Sequence, residues 1–230
     1  MKTKRFKKNG NFLSICYAFV LLLICLITFI CRFAQCYRND TKEQFSFFFR
    51  FVHHFTSQSN ILILIVMLLF FTSIRRKKIF SILMFVAVID ILLTCIVTHF
   101  INNTSEKNTL ITEPFQINHF QHTFIPFLYI FFYFFKINHG LSVKKTYLGL
   151  VHPLCYFFFF LFANLLCERE YYPYNMIDPD KKGILGDILK FSREKQGYSY
   201  LFLNIFLLAI IFYFLSYGIL SLKKKINSPK

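Results

Sequence analysis

The chain has 230 residues, of which 56% are hydrophobic and 20% are aromatic, and 34 of them are Phe. Soluble domains are about 45–50% apolar, so this composition excludes an ordinary water-soluble globular protein. The formal net charge is +16, but the basic residues occur in short clusters that flank apolar runs, which is typical of membrane orientation signals and not of a nucleic-acid-binding surface.

Six apolar segments follow one another along the chain, each close to the length of about 20 residues that a helix needs to cross a bilayer. The predicted spans are 11–33, 51–74, 79–101, 116–137, 147–167 and 200–222. The first span shows no small-residue cleavage site, so we interpret it as a retained helix and not as a removed signal peptide. The sequence therefore predicts an all-α polytopic membrane protein, a six-transmembrane-helix bundle that forms a single domain over residues 1–230.

The charged residues predict the orientation of these spans. The amino terminus, the 75–78 turn, the 136–145 loop and the carboxyl-terminal tail carry 16 of the 27 Lys and Arg residues and none of the acidic ones. Ten of the 11 acidic residues lie in the other three connections. Because Lys and Arg concentrate on the cytoplasmic side, both termini are predicted to be cytoplasmic. The heavy use of Phe, Ile, Lys and Asn is typical of AT-rich coding.

The connection over residues 168–199 is the longest. Its apolar residues recur at helical spacing after Asp178 and Pro179, which predicts an amphipathic helix over about 179–196 on the outer leaflet. Such a helix is either a lid over a site or an interfacial strap. Tyr172 and Tyr174 precede it and fit either an aromatic membrane anchor or a pocket wall.

Polar residues lie near the predicted outer ends of the second and fourth spans. In a helix, His119 and His122 share one face, and neutral imidazole is a base, a proton shuttle or a metal ligand near pH 7. The predicted topology places Thr56 at a depth similar to that of His122. Because a nearby base can turn a threonine hydroxyl into a nucleophile, Thr56 and His122 form a candidate catalytic pair. Gln58, Asn118 and His119 could then supply an oxyanion donor or orient the imidazole. The plainer alternative is that the histidines are interfacial polar groups and that Thr56 bonds a carbonyl of its own helix.

Asp90 is the one acidic residue inside a predicted span. An intramembrane carboxyl group is a functional candidate by default. A protonated side chain, or one paired with Asn60 or a backbone group, also fits the sequence. Asp90 lies about two helical turns deeper than the proposed pair, which favours a structural or proton-coupled role.

Three segments carry the motifs of a known family. They read Phe55-Thr56-Ser57-Gln58-Ser59-Asn60-Ile61-Leu62, then Asn118-His119-x-x-His122-Thr123 ahead of Pro126, then Tyr172-Pro173-Tyr174 followed by Asp178. Their order resembles the androgen-induced-gene family of intramembrane hydrolases and, more closely, its bacterial six-pass relatives of the Pr-six-Pr type, over about residues 12–220. The animal enzymes have apolar residues at the positions of Ser57 and Gln58.

The resemblance implies hydrolysis of fatty-acid esters of hydroxy fatty acids, with Thr56 as nucleophile and His122 as base. Membrane lipids would be the partners and an acyl ester the substrate. The supporting or substrate-facing positions are then Gln58, Asn60, Asn118, His119, Tyr172 and Tyr174.

Three other functions remain open: a non-enzymatic membrane protein, a transporter with Asp90 on its path, and a metal or haem site. The last would use His53, His54, His99, His119 and His122, since imidazole binds Zn, Cu and Fe. The sequence has no His-x-x-x-His pair, no CxxC pair and no inverted repeat, which argues against a metal site and against a transporter. We therefore predict no metal, no cofactor and no nucleic-acid partner.

Overall fold

The computed structural model describes residues 2–38, 51–101, 116–135, 141–167, 172–174, 177–180 and 197–227. The helices are α1 (Lys2–Arg38), α2 (Phe55–Phe70), α3 (Lys78–Ile96), α4 (Ile117–His119), α5 (Ile125–Phe135), α6 (Leu148–Cys167) and α7 (Gly197–Asn227). Two π-helical segments interrupt this pattern: π1 (Val97–Ile101) continues α3, and π2 (Phe120–Phe124) joins α4 to α5. No strand occurs within the described ranges, so the all-α prediction is confirmed.

Four helices in the described part of the chain are long and apolar enough to cross a bilayer. They cover Phe12–Tyr37, Lys78–His99, Val143–Leu166 and Gly197–Asn227, while Phe55–Phe70 is a shorter apolar helix. Many of their large apolar side chains are exposed. Such surfaces are costly in water and suit lipid, so the fold is that of an integral membrane protein.

Each predicted span contains a helix, but the bounds differ. The first helix is longer than predicted because the basic residues before Asn11 are themselves good helix formers and continue it. The second is shorter: α2 ends at Phe70 because Thr72 starts a turn, in which its hydroxyl accepts a hydrogen bond from the Ile74 amide at 3.2 Å. The fourth contains π2, which the sequence analysis did not predict. Of the predicted amphipathic segment, residues 181–196 lie outside the described residues.

The chain divides into two compact units, Met1–Ser142 with Ser221–Lys230, and Val143–Leu220. The single domain therefore stays a prediction. In the first unit, α2 packs against α1 and α3, and α5 packs against the same two helices. Its core consists of fully buried side chains, which include Ile63, Met67, Phe70, Phe80, Met84 and Tyr129.

In the second unit, α6 and the first part of α7 are joined by ring contacts such as the one between Phe157 and Phe202, whose centroids are 6.2 Å apart. The start of α7 bonds to the preceding loop, because the Gly197 amide donates to the Pro179 carbonyl at 2.8 Å. Gly197 has a φ of 65°, a left-handed conformation that glycine adopts without steric cost.

Lys223, near the carboxyl end of α7, connects this helix to the end of α5 within the first unit. Its ammonium group donates to the carbonyl oxygens of Tyr133 and Phe134, the latter at 2.9 Å, and lies 5.1 Å from the centre of the Tyr133 ring. The last carbonyls of a helix have no partner inside it. A buried cation therefore satisfies them and complements the helix dipole.

We predict that Lys223→Met lowers the free energy of unfolding in detergent by about 1–3 kcal/mol, because two carbonyl oxygens lose a charged donor. The matched control is Lys225→Met, which removes an exposed lysine from the same turn. Equal loss of stability in the two variants would contradict the assigned role of Lys223.

Candidate functional site

Two threonine–histidine pairs join π1 to π2. The Thr98 Oγ1 lies 2.7 Å from His122 Nδ1, and His99 Nε2 lies 3.0 Å from Thr123 Oγ1. The Thr123 hydroxyl also lies 3.5 Å from His119 Nδ1. These five residues, called the Thr/His cluster below, satisfy part of one another's hydrogen-bonding capacity where lipid offers none.

Pro126 explains why the helix widens at the cluster. In π2 the Ile125 amide bonds the carbonyl of Phe120, five residues back. Pro126 has no amide hydrogen, so it cannot supply the next such bond to the Gln121 carbonyl. The Asn60 side chain on α2 donates to that oxygen instead, at 3.3 Å. A proline and an asparagine on separate helices thus stabilise one π-helical turn.

Asn60 also positions Thr56, the predicted nucleophile, relative to π2. Its Nδ2 donates to the Thr56 carbonyl at 2.9 Å as well as to the Gln121 carbonyl, so the first turn of α2 lies beside the turn that carries His122. Thr56 is half-buried. The hydrogen bond of the His122 ring in the described structure goes to Thr98. The structure therefore brings the two predicted residues to adjacent turns and gives the imidazole a different threonine as its direct partner.

The predicted supporting residues have separate environments. Gln58 Nε2 donates to the Val52 carbonyl at 2.9 Å, which ties the start of α2 to the residues before it. Asn118 is exposed. The His119 ring packs edge-on against Phe124 with centroids 4.9 Å apart. Of these three predicted residues, His119 belongs to the Thr/His cluster.

Tyr172 and Tyr174 belong to the second unit. The Tyr174 ring lies 6.4 Å from that of Tyr156. Burial, together with the neighbouring Tyr198, raises the pKa of Tyr172 to about 12. Both tyrosines thus have aromatic neighbours within their own unit.

Asp90 is completely buried in α3. Tyr129 of α5 interacts with it electrostatically, and the Tyr129 hydroxyl donates to the Met84 carbonyl at 3.2 Å. The carboxyl group therefore lies inside the apolar core of the first unit, deeper than the Thr/His cluster.

Arg32 and Thr98 also contact or interact with His122, and neither was among the predicted site residues. Arg32 on α1 is half-buried and interacts electrostatically with His54 and His122. Its Nη1 donates to Gln35 at 3.0 Å, and its buried Nε has no hydrogen-bond partner in the described part of the chain. An arginine inside an apolar run was a usable signal for Arg32, since charged residues within spans are rare and functional.

The described residues do not form a complete set of metal ligands. Within the described ranges, no group of three or more His, Cys, Asp or Glu is placed to hold a metal ion. The His53 and His54 rings lie against each other, with centroids 3.8 Å apart. Because metal sites in proteins use three or four protein ligands, nothing in this geometry favours the metal alternative.

No protein-family profile, curated protein sequence or solved structure matches the chain. The resemblance to the androgen-induced-gene family therefore stays a prediction.

We predict that Thr98→Val shifts the ring nitrogen resonances of His122 in isotope-labelled protein, because Nδ1 loses its partner. Thr98→Ser should keep them close to the wild-type positions, and Thr28→Val, at a buried threonine of α1, should leave them unchanged. The resonances that disappear in His122→Gln are assigned to the His122 ring. Identical spectra for wild type and Thr98→Val would show that the hydrogen bond does not form.

Proposed function

We propose that this membrane protein hydrolyses lipid esters at the Thr/His cluster, with Thr56 as nucleophile and His122 as general base. The observation that carries the proposal is the 2.7 Å contact between Thr98 Oγ1 and His122 Nδ1. A catalytic base needs a third group that orients its ring, and Thr98 supplies one. The resemblance to the androgen-induced-gene family implies the same nucleophile and base.

The proposed reaction uses Nε2 of His122, the ring nitrogen that does not contact Thr98. With Nδ1 protonated and donating to Thr98, the Nε2 lone pair can accept the Thr56 hydroxyl proton while the oxygen attacks the ester carbonyl carbon. The tetrahedral intermediate then expels the alcohol, which takes the proton back from His122. A water molecule, deprotonated by the same nitrogen, hydrolyses the acyl-Thr56 bond and regenerates the enzyme.

Arg32 supports the charge that develops in this reaction. Its guanidinium group is close enough to interact electrostatically with His122. A fixed positive charge in a site that excludes water favours the oxyanion of the intermediate or an acidic group on the substrate. Because Gln58 is engaged with a backbone carbonyl, Arg32 replaces it as the proposed oxyanion-stabilising group.

Thr98 is a second candidate for the nucleophile, because its hydroxyl contacts the proposed base directly. In that mechanism Thr56 would only help to shape the site. The two assignments differ in which alanine variant loses the covalent acyl-enzyme.

We also propose a six-span topology with cytoplasmic termini and the Thr/His cluster toward the outer side of a bacterial plasma membrane. The distribution of Lys and Arg supports the orientation. A helix within each of the six predicted spans supports the count. Membrane lipids then reach the cluster from the outer leaflet.

We predict that Thr56→Ala and His122→Ala each remove most hydrolysis of lipid esters by the reconstituted protein and most labelling by a serine/threonine hydrolase probe. The double variant should be little worse than either single one, because members of one catalytic unit do not contribute additively. Thr56→Ser should keep part of the rate, since it keeps a hydroxyl. If folded Thr56→Ala protein keeps its labelling and Thr98→Ala loses it, the nucleophile is Thr98. Unchanged labelling in both would end the hydrolase proposal.

We predict that a cysteine introduced by Asp187→Cys, on a background without reactive native cysteines, reacts with an impermeant maleimide added to intact cells. The motivation is the predicted outer location of the 168–199 connection. Labelling that requires permeabilised cells would invert the topology and put the Thr/His cluster on the cytoplasmic side.

A further inference from the structure

A stripe of buried polar side chains runs along α3. Asp90, Thr94 and Thr98 are four residues apart, so they lie one above the other on a single helix face. Their exposed fractions are 0%, 3% and 4%. These three residues form one buried polar row that runs from α3 into π1, and Ser81, the other buried polar residue of α3, lies outside it.

The outer part of the stripe is connected to the neighbouring helices by hydrogen bonds. Thr98 contacts His122 at 2.7 Å, and Thr94 donates to the Ser59 hydroxyl of α2 at 3.2 Å. The Ser59 hydroxyl in turn donates to the Phe55 carbonyl at 2.8 Å. A hydroxyl group donates one hydrogen and accepts others, so it can receive a proton on one side and release its own on the other.

The stripe ends at Asp90 in the other direction. The α3 side chains one and two turns deeper are apolar, and Phe80, Met84 and Ala87 are fully buried. Tyr129 of α5 interacts electrostatically with Asp90, and its hydroxyl is engaged with the Met84 carbonyl. The helix α2 has no titratable residue between Phe55 and Phe70. On α1, Cys25 interacts with Tyr129.

The outer end of the stripe, in contrast, lies near several histidines, whose imidazoles exchange protons near neutral pH, and near the fixed charge of Arg32. His99 and Arg32 interact electrostatically with His122, and His54 does so as well. A carboxyl group without exposed surface can change its protonation only through polar neighbours. For Asp90 those neighbours lead toward the histidines.

We propose that Thr94 and Thr98 form a proton relay between the Asp90 carboxyl group and the His122 imidazole. This function goes beyond ester hydrolysis and does not depend on it. The relay uses the tautomer in which Thr98 donates to His122 Nδ1, the opposite of the tautomer that acts as base in ester hydrolysis, and it requires the Thr94 hydroxyl to turn from Ser59 toward the row. A proton leaves Asp90, each water molecule or hydroxyl along the row accepts one proton and passes one outward, and the last proton reaches Nδ1. The net result is one carboxylate and one imidazolium, and the return path reverses each step. Successive groups are one turn, about 6 Å, apart along the helix, a gap that one water molecule bridges between two polar groups.

The test follows the carbonyl stretch of the protonated Asp90 carboxyl group by infrared spectroscopy. The full-length protein in phosphatidylcholine nanodiscs is transferred from H₂O to D₂O, and the rate of the isotope shift is measured. Asp90→Asn should remove the band. Thr94→Val and Thr98→Val should keep it and slow its exchange about tenfold or more, because each removes a hydroxyl that the proposed relay uses.

Serine variants and one control separate the relay from a packing effect. Thr94→Ser and Thr98→Ser keep the hydroxyl and should exchange at nearly the wild-type rate. Thr28→Val, which changes a buried threonine of α1 outside the stripe, should do the same. If a valine variant is not monodisperse, the alanine variant at that position replaces it.

Two results would overturn the relay. One is the absence of any band that Asp90→Asn removes, and the other is equal exchange in wild type and both valine variants. Ester hydrolysis by the wild type is measured on the same samples. Exchange that neither valine variant slows, together with wild-type hydrolysis, rejects the relay alone, whereas slowed exchange without any wild-type hydrolysis rejects the hydrolase alone.

Discussion

Lipid cannot form hydrogen bonds with a protein, and this constraint governs the arrangement of polar groups in the first unit. At several places, a group on one helix receives its hydrogen-bond partner from another helix. Asn60 bonds the Gln121 carbonyl that Pro126 cannot reach, and Thr98 bonds His122. At the opposite end, Lys223 bonds the last carbonyls of α5. The apolar core fixes the helices, and these few bonds determine how the helix ends meet.

The π-helical turns bring threonine and histidine side chains together at one end of that core. A π-helical turn shifts the side chains that follow it around the helix axis, and such turns are frequent at functional sites. Here two of them face each other and exchange threonine–histidine contacts. The same arrangement gives His122 a fixed orientation and connects it to the polar face of α3. Ester hydrolysis and proton exchange are separate proposals that use this one residue.

Hydrophobic length and charge predicted the positions of the helices well, because both patterns are local in sequence. The proximity of the first turn of α2 to the turn that carries His122 could also be predicted, from the depth of the polar residues near the span ends. The partner of His122 could not, since it depends on how π1 faces π2, and neither π-helical turn was predicted. The spacing of Asp90, Thr94 and Thr98 is visible in the sequence, but only the structure shows that all three side chains are buried and form one polar row.

The central claim is that the contact between Thr98 and His122 joins π1 to π2 and organises the site. A double-mutant cycle with Thr98→Val and His122→Leu, read as the free energy of unfolding in mixed micelles, tests it most directly. We expect a coupling energy of about 0.5–2 kcal/mol, as for hydrogen bonds between membrane helices. Additive effects of the two substitutions would contradict the account.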